Sequence, residues 1–345
     1  MHKKIRFFYP WATLGGVERV LINRARVLLD KSTEYKICFH FLHDSGGLKA
    51  FKGTLARYGL DVQVDFGFEI DNDYDVNFII DCPDVLDLFE SKGWAYFIEC
   101  HTAYLENQSY LAKKRSFCLG VVAPGKDFGE EIRVRYQIPE EHIHIFENFV
   151  PWDLEEDHSS WQCLPGWSRT PLCFLGRMDK LKNPGFYLDL LADLEVRYPG
   201  KFMGVMCGPR SPEVDIRKEI AQRKMLGRVL VLPSIPFYSV SPFFHALKGS
   251  GGIFVSPSRG ESFGLSAAEA ICAGLPVLLS KIDAHKKLVK DFGRDFIYES
   301  QGDALVKIGK IMADYEGFSA KSLVLRDNFQ SSLFVSNFTK LLRNQ

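Results

Sequence analysis

The sequence has no C-x-x-C pair and no cysteine–histidine cluster of zinc spacing. Its eight cysteines (Cys38, Cys82, Cys100, Cys118, Cys163, Cys173, Cys207, Cys272) stand singly, several inside apolar runs. That pattern excludes a zinc module or a disulfide framework as the organising element, and reduced, buried thiols of an intracellular protein are the expectation. Long apolar runs are missing too. The longest uncharged stretch, Val229 to Leu247, is broken by Pro233, Pro236 and Pro242, and the start, MHKKIRFFYPWATLGG, is too short in apolar residues for a signal peptide or a span. Any membrane contact is therefore expected to be peripheral. There is no excess charge of either sign: 43 Lys+Arg face 43 Asp+Glu, which argues against nucleic acid as the principal partner. Internal repeats and low-complexity tracts are also absent.

What is present is a folded composition, 46% hydrophobic and 25% charged with 28 Gly and 16 Pro, over 345 residues. Single cores stop growing near roughly 250–300 residues, so two lobes are expected. Short β-branched or aromatic runs alternate with helical patterns, the signature of βαβ units and parallel sheets. Ile5 to Tyr9, Tyr35 to Leu42, Val76 to Asp81, Ala95 to Cys100 and Phe117 to Val122 read as strands of a first lobe, residues 1–150. A Gly15-Gly16 turn and a helix from about Val17 to Leu29 follow the first of them. Residues 151–170, with two Pro and three Trp, read as a linker. A second βα series fills 171–321, with strands at Leu172 to Leu175, Phe202 to Met206, Val229 to Leu232, Gly252 to Val255 and Val277 to Leu279. Its helices are expected to start near Pro184, Pro212, Pro242 and Gly264. In such sheets ligands bind outside the strand carboxyl ends.

Several motifs compete for the chemistry. Gly120 to Lys126, GVVAPGK, is a phosphate loop lacking its final hydroxyl, since position 127 is Asp; a strand end followed by a helix start is the simpler reading. Asp71, Asp73 and Asp75 resemble both a metal-binding D-x-D and the start of an EF-hand loop; Val76 stands where the Ca²⁺ loop needs Gly, which removes the second, and a polar turn before a strand reads better than the first. His142 and His144 alternate with Ile143 and Ile145 like a half-buried strand, with no third ligand in view. Arg177, just past a strand, and Lys182, five residues on, suit a diphosphate, with a solvated basic loop as the alternative. In VSPSRGESFGLSAAEAICAGLPVLLS, Glu261 and Glu269 stand eight apart around a helix start at Phe263-Gly264-Leu265, whose free amides suit phosphate. Glu269 has a competing reading as the acid of a Ser266-x-x-Glu269 capping box.

With those residues in place, the chain resembles the family-4 retaining glycosyltransferases of GT-B architecture. Glu261 and Glu269 match that family's E-x7-E motif, in a stretch similar to its signature at Pro257, Ser258, Phe263, Gly264, Leu265, Ala270, Ala273, Gly274, Pro276 and Val277. Gly176, Arg177 and Lys182 fall on its G-R-x4-K segment, with Asn183 in place of the usual following Gly. Gly15-Gly16-Val17-Glu18 resembles its glycine turn, His101 its first-lobe histidine, and Asn148 its lead-out, where Phe149 replaces Gly.

The resemblance implies an α/β fold of two Rossmann-like lobes facing a central cleft, with a C-terminal helix, residues 322–345, crossing back to the first lobe. It implies a nucleotide-diphosphate sugar as donor, UDP favoured over GDP, with no tightly bound cofactor and no metal. Arg177 and Lys182 would neutralise the leaving diphosphate, the amides at Phe263 to Leu265 would hold its oxygens, and Glu269 would accept from ribose hydroxyls. Glu261 and His101 would contact the donor sugar, and Gly15 and Gly16 would admit phosphate or acceptor. The acceptor is expected to be a glycan or lipid-linked hydroxyl on the first-lobe side, in bacterial surface-glycan synthesis in the cytoplasm at the inner membrane face. Arg19, Arg24, Arg26 and Lys113-Lys114-Arg115 are candidates for meeting an anionic membrane there, with solvated surface as the simpler reading. Residues 1–150 carry 18 Lys+Arg against 22 Asp+Glu and the remainder 25 against 21, so the cationic half is the one assigned to the diphosphate. The alternatives are an epimerase or phosphorylase of the same fold, a phosphotransferase using Gly120 to Lys126, and a non-catalytic sugar-nucleotide binder.

Overall fold

A computed structural model describes residues 2–31, 34–154 and 168–343. Most of the expected linker, and Cys163, lie outside them. The chain divides into two compact units, Met1–Pro151 with Ser331–Gln345, and Trp152–Gln330.

The first unit is a seven-stranded parallel sheet: β1 (Lys3–Ala12), β2 (Tyr35–Asp44), β3 (Gln63–Phe66), β4 (Val76–Ile80), β5 (Tyr96–Glu99), β6 (Cys118–Ala123) and β7 (Ile143–Ile145), in the order β3-β2-β1-β4-β5-β6-β7. Its central strands are buried on both faces, as their near-continuous Ile, Val and Phe content requires. The second unit is a six-stranded parallel sheet: β8 (Thr170–Leu175), β9 (Phe202–Cys207), β10 (Val229–Leu232), β11 (Ile253–Ser256), β12 (Val277–Ser280) and β13 (Ile297–Tyr298), in the order β10-β9-β8-β11-β12-β13. Strand order reverses between β1 and β4 in one sheet and between β8 and β11 in the other. These two switch points open the crevices where doubly wound sheets hold ligands. Both units are Rossmann-like, which is the GT-B architecture expected.

Two expected boundaries move. The helix anticipated near Pro212 starts at Ile216, because Asp215 caps it by accepting from the Arg217 and Lys218 amides. The terminal helix expected over 322–345 is not one continuous helix. Ser322 to Leu325 end the helix Tyr315–Leu325 in the second unit, where the Ser322 hydroxyl donates to Leu275 O. Gln330 is extended, and only the helix Ser332–Arg343 belongs to the first unit. There Phe334 and Phe338 pack on Phe146, and Phe338 also meets Phe7 and Phe78. Phe149, in the place of the resemblance's Gly, packs its ring at a tilt against Phe334, 5.0 Å between ring centroids. Among the described residues no helix is long and apolar enough to cross a membrane.

Candidate active site

The second unit builds its site from the two loops flanking its switch point. After β8 the chain passes Gly176, and Gly208 after β9 approaches so closely that a Cβ there would sit 2.0 Å from Gly176 O. The next turn is organised by Asp179, a residue not singled out in the sequence: its carboxylate accepts from the Lys182 amide at 2.8 Å and pairs with Arg177 Nε at 3.2 Å. Asn183 then takes φ +54 before Pro184 opens the helix Pro184–Arg197. This is the left-handed conformation for which glycine is the usual choice and asparagine the best substitute, so the replacement noted in the sequence keeps the turn. Asn183 Nδ2 donates to Pro257 O at 3.3 Å and the Arg259 amide donates to Leu181 O at 2.8 Å, tying this loop to the one after β11.

Across that seam Lys182 Nζ lies 2.5 Å from Glu261 Oε1, which also accepts from Ser258 Oγ at 2.8 Å. Burial pushes the Glu261 carboxyl up, but the Lys182 ammonium and the two donated hydrogen bonds outweigh it and hold the group below the ordinary carboxylate range. Gly264, at φ +93, is the N-cap of the helix Leu265–Cys272. The first intrahelical bonds run from the Ala267 and Ala268 amides to Gly264 O, so the Leu265 and Ser266 N–H groups precede them. With Gly264 at the cap, Ser266 is inside the helix and the capping-box reading of Glu269 fails. Glu269 is buried in the second turn, and the Phe263 ring lies edge-on to Phe329 at 6.3 Å. Arg177, Lys182, Glu261, Phe263, Gly264, Leu265 and Glu269 therefore share the carboxyl edge of one sheet.

His101, Gly15 and Gly16 lie in the first unit, past β5 and β1. His101 is buried, with Nε2 2.5 Å from Glu99 Oε1 and its amide donating to Asp81. Glu99, fully buried, takes a fork of hydrogen bonds from Arg24 at 2.6 and 2.9 Å. Burial alone would raise the Glu99 carboxyl; Arg24 and His101 reverse the sign and hold it at about 2. A carboxylate held down on folding contributes stability above its unfolded value, ordinarily 4.5 here, and loses it as pH falls toward 2. Acid titration should therefore show a destabilisation in that window that is absent in Glu99→Gln, read by the melting temperature relative to each protein's own pH 7 value. At the glycine turn, Glu18 Oε1 accepts from the Thr13 amide at 2.5 Å and from its hydroxyl. A Cβ on Gly15 would sit 3.0 Å from Glu18 Oε2, whereas Gly16 has open space around it. Gly15 thus makes room for a carboxylate of its own helix, and Gly16 is the glycine past which a ligand could approach.

Other motifs resolve into structure. Gly120 lies inside β6, paired with Phe97, and a Cβ there would strike His144 Nε2 at 2.6 Å. No phosphate loop spans 120–126. Asp71 and Asp73 pair with Arg6 and Lys4, and Asp75 accepts the Lys4 amide. Among the described residues no group of three or more His, Cys, Asp or Glu is placed to hold a metal. Arg19, Arg24 and Arg26 are buried, and Arg115 pairs with Asp87 at 2.9 Å. Those arginines serve the fold, and Lys113 pairs with the same Asp87 carboxylate at 2.8 Å. Sequence reading also passed over Ser256, Ser280 and His285, a lone histidine behind the Glu261 loop. The only signal for them was the clustering of small hydroxyls at the ends of two apolar strands.

The second unit resembles a known family in sequence, and the chain resembles known structures in fold. Residues 168–319 match the family Glycosyl transferases group 1. Over 116 residues the chain is 32% identical to the D-inositol 3-phosphate glycosyltransferase of Pseudarthrobacter chlorophenolicus, covering 32% of this chain and 26% of that protein. Over 142 residues it is 30% identical to the enzyme of the same name from Corynebacterium diphtheriae, covering 39% and 32%. The matched region thus spans a third or less of those relatives. The whole chain superposes on Anabaena HepE in complex with UDP and glucose with a TM-score of 0.79 at 17% identity, covering 100% of both. Staphylococcus aureus TarM, solved with UDP, matches at a TM-score of 0.78 and 12% identity over 98% of this chain and 99% of that one. The fold is of the GT-B type, and the match to the glycosyl transferases group 1 model lies within the second unit.

Proposed function

We propose that the chain is a retaining, metal-independent hexosyltransferase that moves a sugar from a nucleotide-diphosphate sugar to a hydroxyl acceptor. The observation that carries this reading is the Lys182–Glu261 pair bridging the two loops of the β8/β11 switch point, beside the start of the helix Leu265–Cys272. The donor binds there, its diphosphate meeting Lys182, Arg177 and the Leu265 and Ser266 amides. Glu269 takes the ribose hydroxyls. Glu261 faces the sugar, where positive charge builds at the anomeric carbon in an oxocarbenium-like transition state. As the bond from that carbon to the diphosphate breaks, negative charge grows on the leaving phosphate, and preformed cations and amides stabilise it without rearranging. The acceptor oxygen bonds to the same face, and its proton passes to a phosphate oxygen, so no protein nucleophile is needed. His101 supplies a hydrogen-bonding imidazole to the sugar, and Gly16 admits the phosphate or acceptor.

UDP is the favoured nucleotide, supported by the UDP complexes among the structural neighbours. The acceptor is a glycan or lipid-linked hydroxyl in surface-glycan synthesis at the cytoplasmic membrane face. The names of the relatives support a second acceptor class, a phosphorylated polyol. A thermal-shift screen against nucleotide diphosphates and their sugars should single out UDP and its sugars; no stabilisation by any of them overturns the reading. With the donor so found, an α-linked donor should give an α-linked product by proton NMR, unchanged by EDTA. A β-linked product, or loss of turnover in EDTA, would refute the retaining, metal-independent route.

A further inference from the structure

Behind Glu261 runs a chain of buried polar side chains that the proposed reaction does not touch. Ser258 Oγ donates to Glu261; Ser256 Oγ lies 3.3 Å from Ser258 Oγ and 3.2 Å from His285 Nε2. His285 Nδ1 lies 3.1 Å from both Ser280 O and Ser280 Oγ, and Ser280 Oγ donates to Ser258 O at 2.5 Å. His285 is fully buried, Ser258 is 2% exposed, and the imidazole lies against Gly264, whose Cβ would be 3.5 Å from its Cδ2. One ring therefore bridges the ends of β11 and β12 and supports both Glu261 and the glycine that caps the phosphate-facing helix.

Counting hydrogens fixes the tautomer. The Ser280 carbonyl only accepts, and the Ser280 hydroxyl proton is committed to Ser258 O, so Nδ1 must carry the hydrogen. Burial pushes the imidazole down to about 4, so at neutral pH it holds one proton and Nε2 is bare. The Ser258 proton is committed to Glu261, so the proton between Ser256 and His285 comes from Ser256. We propose that His285 is a positioning residue: as the Nδ1–H tautomer it accepts from Ser256 and so holds the Ser256–Glu261 loop with its carboxylate on Lys182. This rests on the nucleotide-sugar reading of the site, and it assigns His285 no contact with substrate.

The test uses the full chain with UDP-glucose and UDP-N-acetylglucosamine as donor probes. Ser256→Ala removes the link and leaves the ring; His285→Asn keeps a donor toward Ser280 and removes the acceptor. Each should lower kcat about 10- to 100-fold, the effect of a displaced catalytic group, with the donor KM and UDP affinity within twofold of wild type. The double variant should be no worse than either single, because all three break one link. Wild-type kcat in either single variant, a loss shared equally by UDP affinity, or additive losses would overturn the proposal. A readout independent of turnover is the ¹⁵N spectrum of the histidine rings, with His285 identified by its absence in His285→Asn. It should show a protonated Nδ1 and a bare Nε2, and Ser256→Ala should move Nε2 alone. A wild-type chain that turns over no nucleotide sugar refutes the functional reading, while the opposite tautomer, or an Nε2 indifferent to Ser256→Ala, refutes the positioning role.

Discussion

Glu261→Ala should abolish most turnover, by a factor of at least about 100, while leaving UDP affinity equal to or tighter than wild type. The asymmetry follows from the ion pair. In the free protein Lys182 is committed to Glu261 at 2.5 Å, and a diphosphate must compete with that carboxylate for the ammonium. Removing the carboxylate frees Lys182, whose side chain is already 22% exposed, so the unpaired cation is solvated and the fold survives. On the proposed mechanism, the lost interaction is the one with charge at the anomeric carbon, which exists only in the transition state. Lys182→Ala should do the reverse: UDP affinity falls together with kcat, because the diphosphate carries its charge in the ground state and more of it on departure. Arg177→Ala belongs with Lys182 in direction and costs the fold little, its side chain being half exposed. Titration calorimetry with UDP, a donor-turnover assay and circular dichroism separate the three. Wild-type turnover in Glu261→Ala or Arg177→Ala, with the fold intact, would end this assignment of the site.

The sequence made the two-sheet plan legible because most strands in both sheets are buried on both faces and therefore appear as apolar runs. It hid β3 and β13 for opposite reasons. Gln63–Phe66 is a half-exposed edge strand with no apolar run, and Ile297–Tyr298 is two residues long. The site was legible where chemistry needs a spacing: Lys182 and Glu261 meet because one follows β8 and the other β11, and strand order makes these neighbours. What was illegible depends on contacts between residues remote in sequence. Arg24 reads as surface charge until Glu99, 75 positions away, is seen against it. His285 reads as a lone histidine until Ser256 and Ser280 close on its two nitrogens.

Deleting residues 331–345 should unfold the first unit, and the helix Ser332–Arg343 accounts for the size of the effect. Phe334 and Phe338 are fully buried, and Leu341 and Leu342 nearly so. Truncating a core Phe typically costs about 3–5 kcal/mol and a core Leu about 2–5, so the four together cost about 10–20, as much as or more than the about 5–15 of a whole domain. Phe338→Ala alone, at about 3–5 kcal/mol, should leave a folded but visibly less stable unit in denaturant titration. The helix also reaches His101, a residue of the proposed site. Phe334 lies under the Arg24 guanidinium at 5.2 Å, Arg24 holds Glu99, and Glu99 holds His101. Stripping the helix away would admit water to a buried ion pair whose geometry sets the imidazole, so the deletion should remove first-unit function even in any fraction that stays collapsed. A truncated chain that melts cooperatively with two intact units and turns over donor at the wild-type rate would overturn both parts of this account.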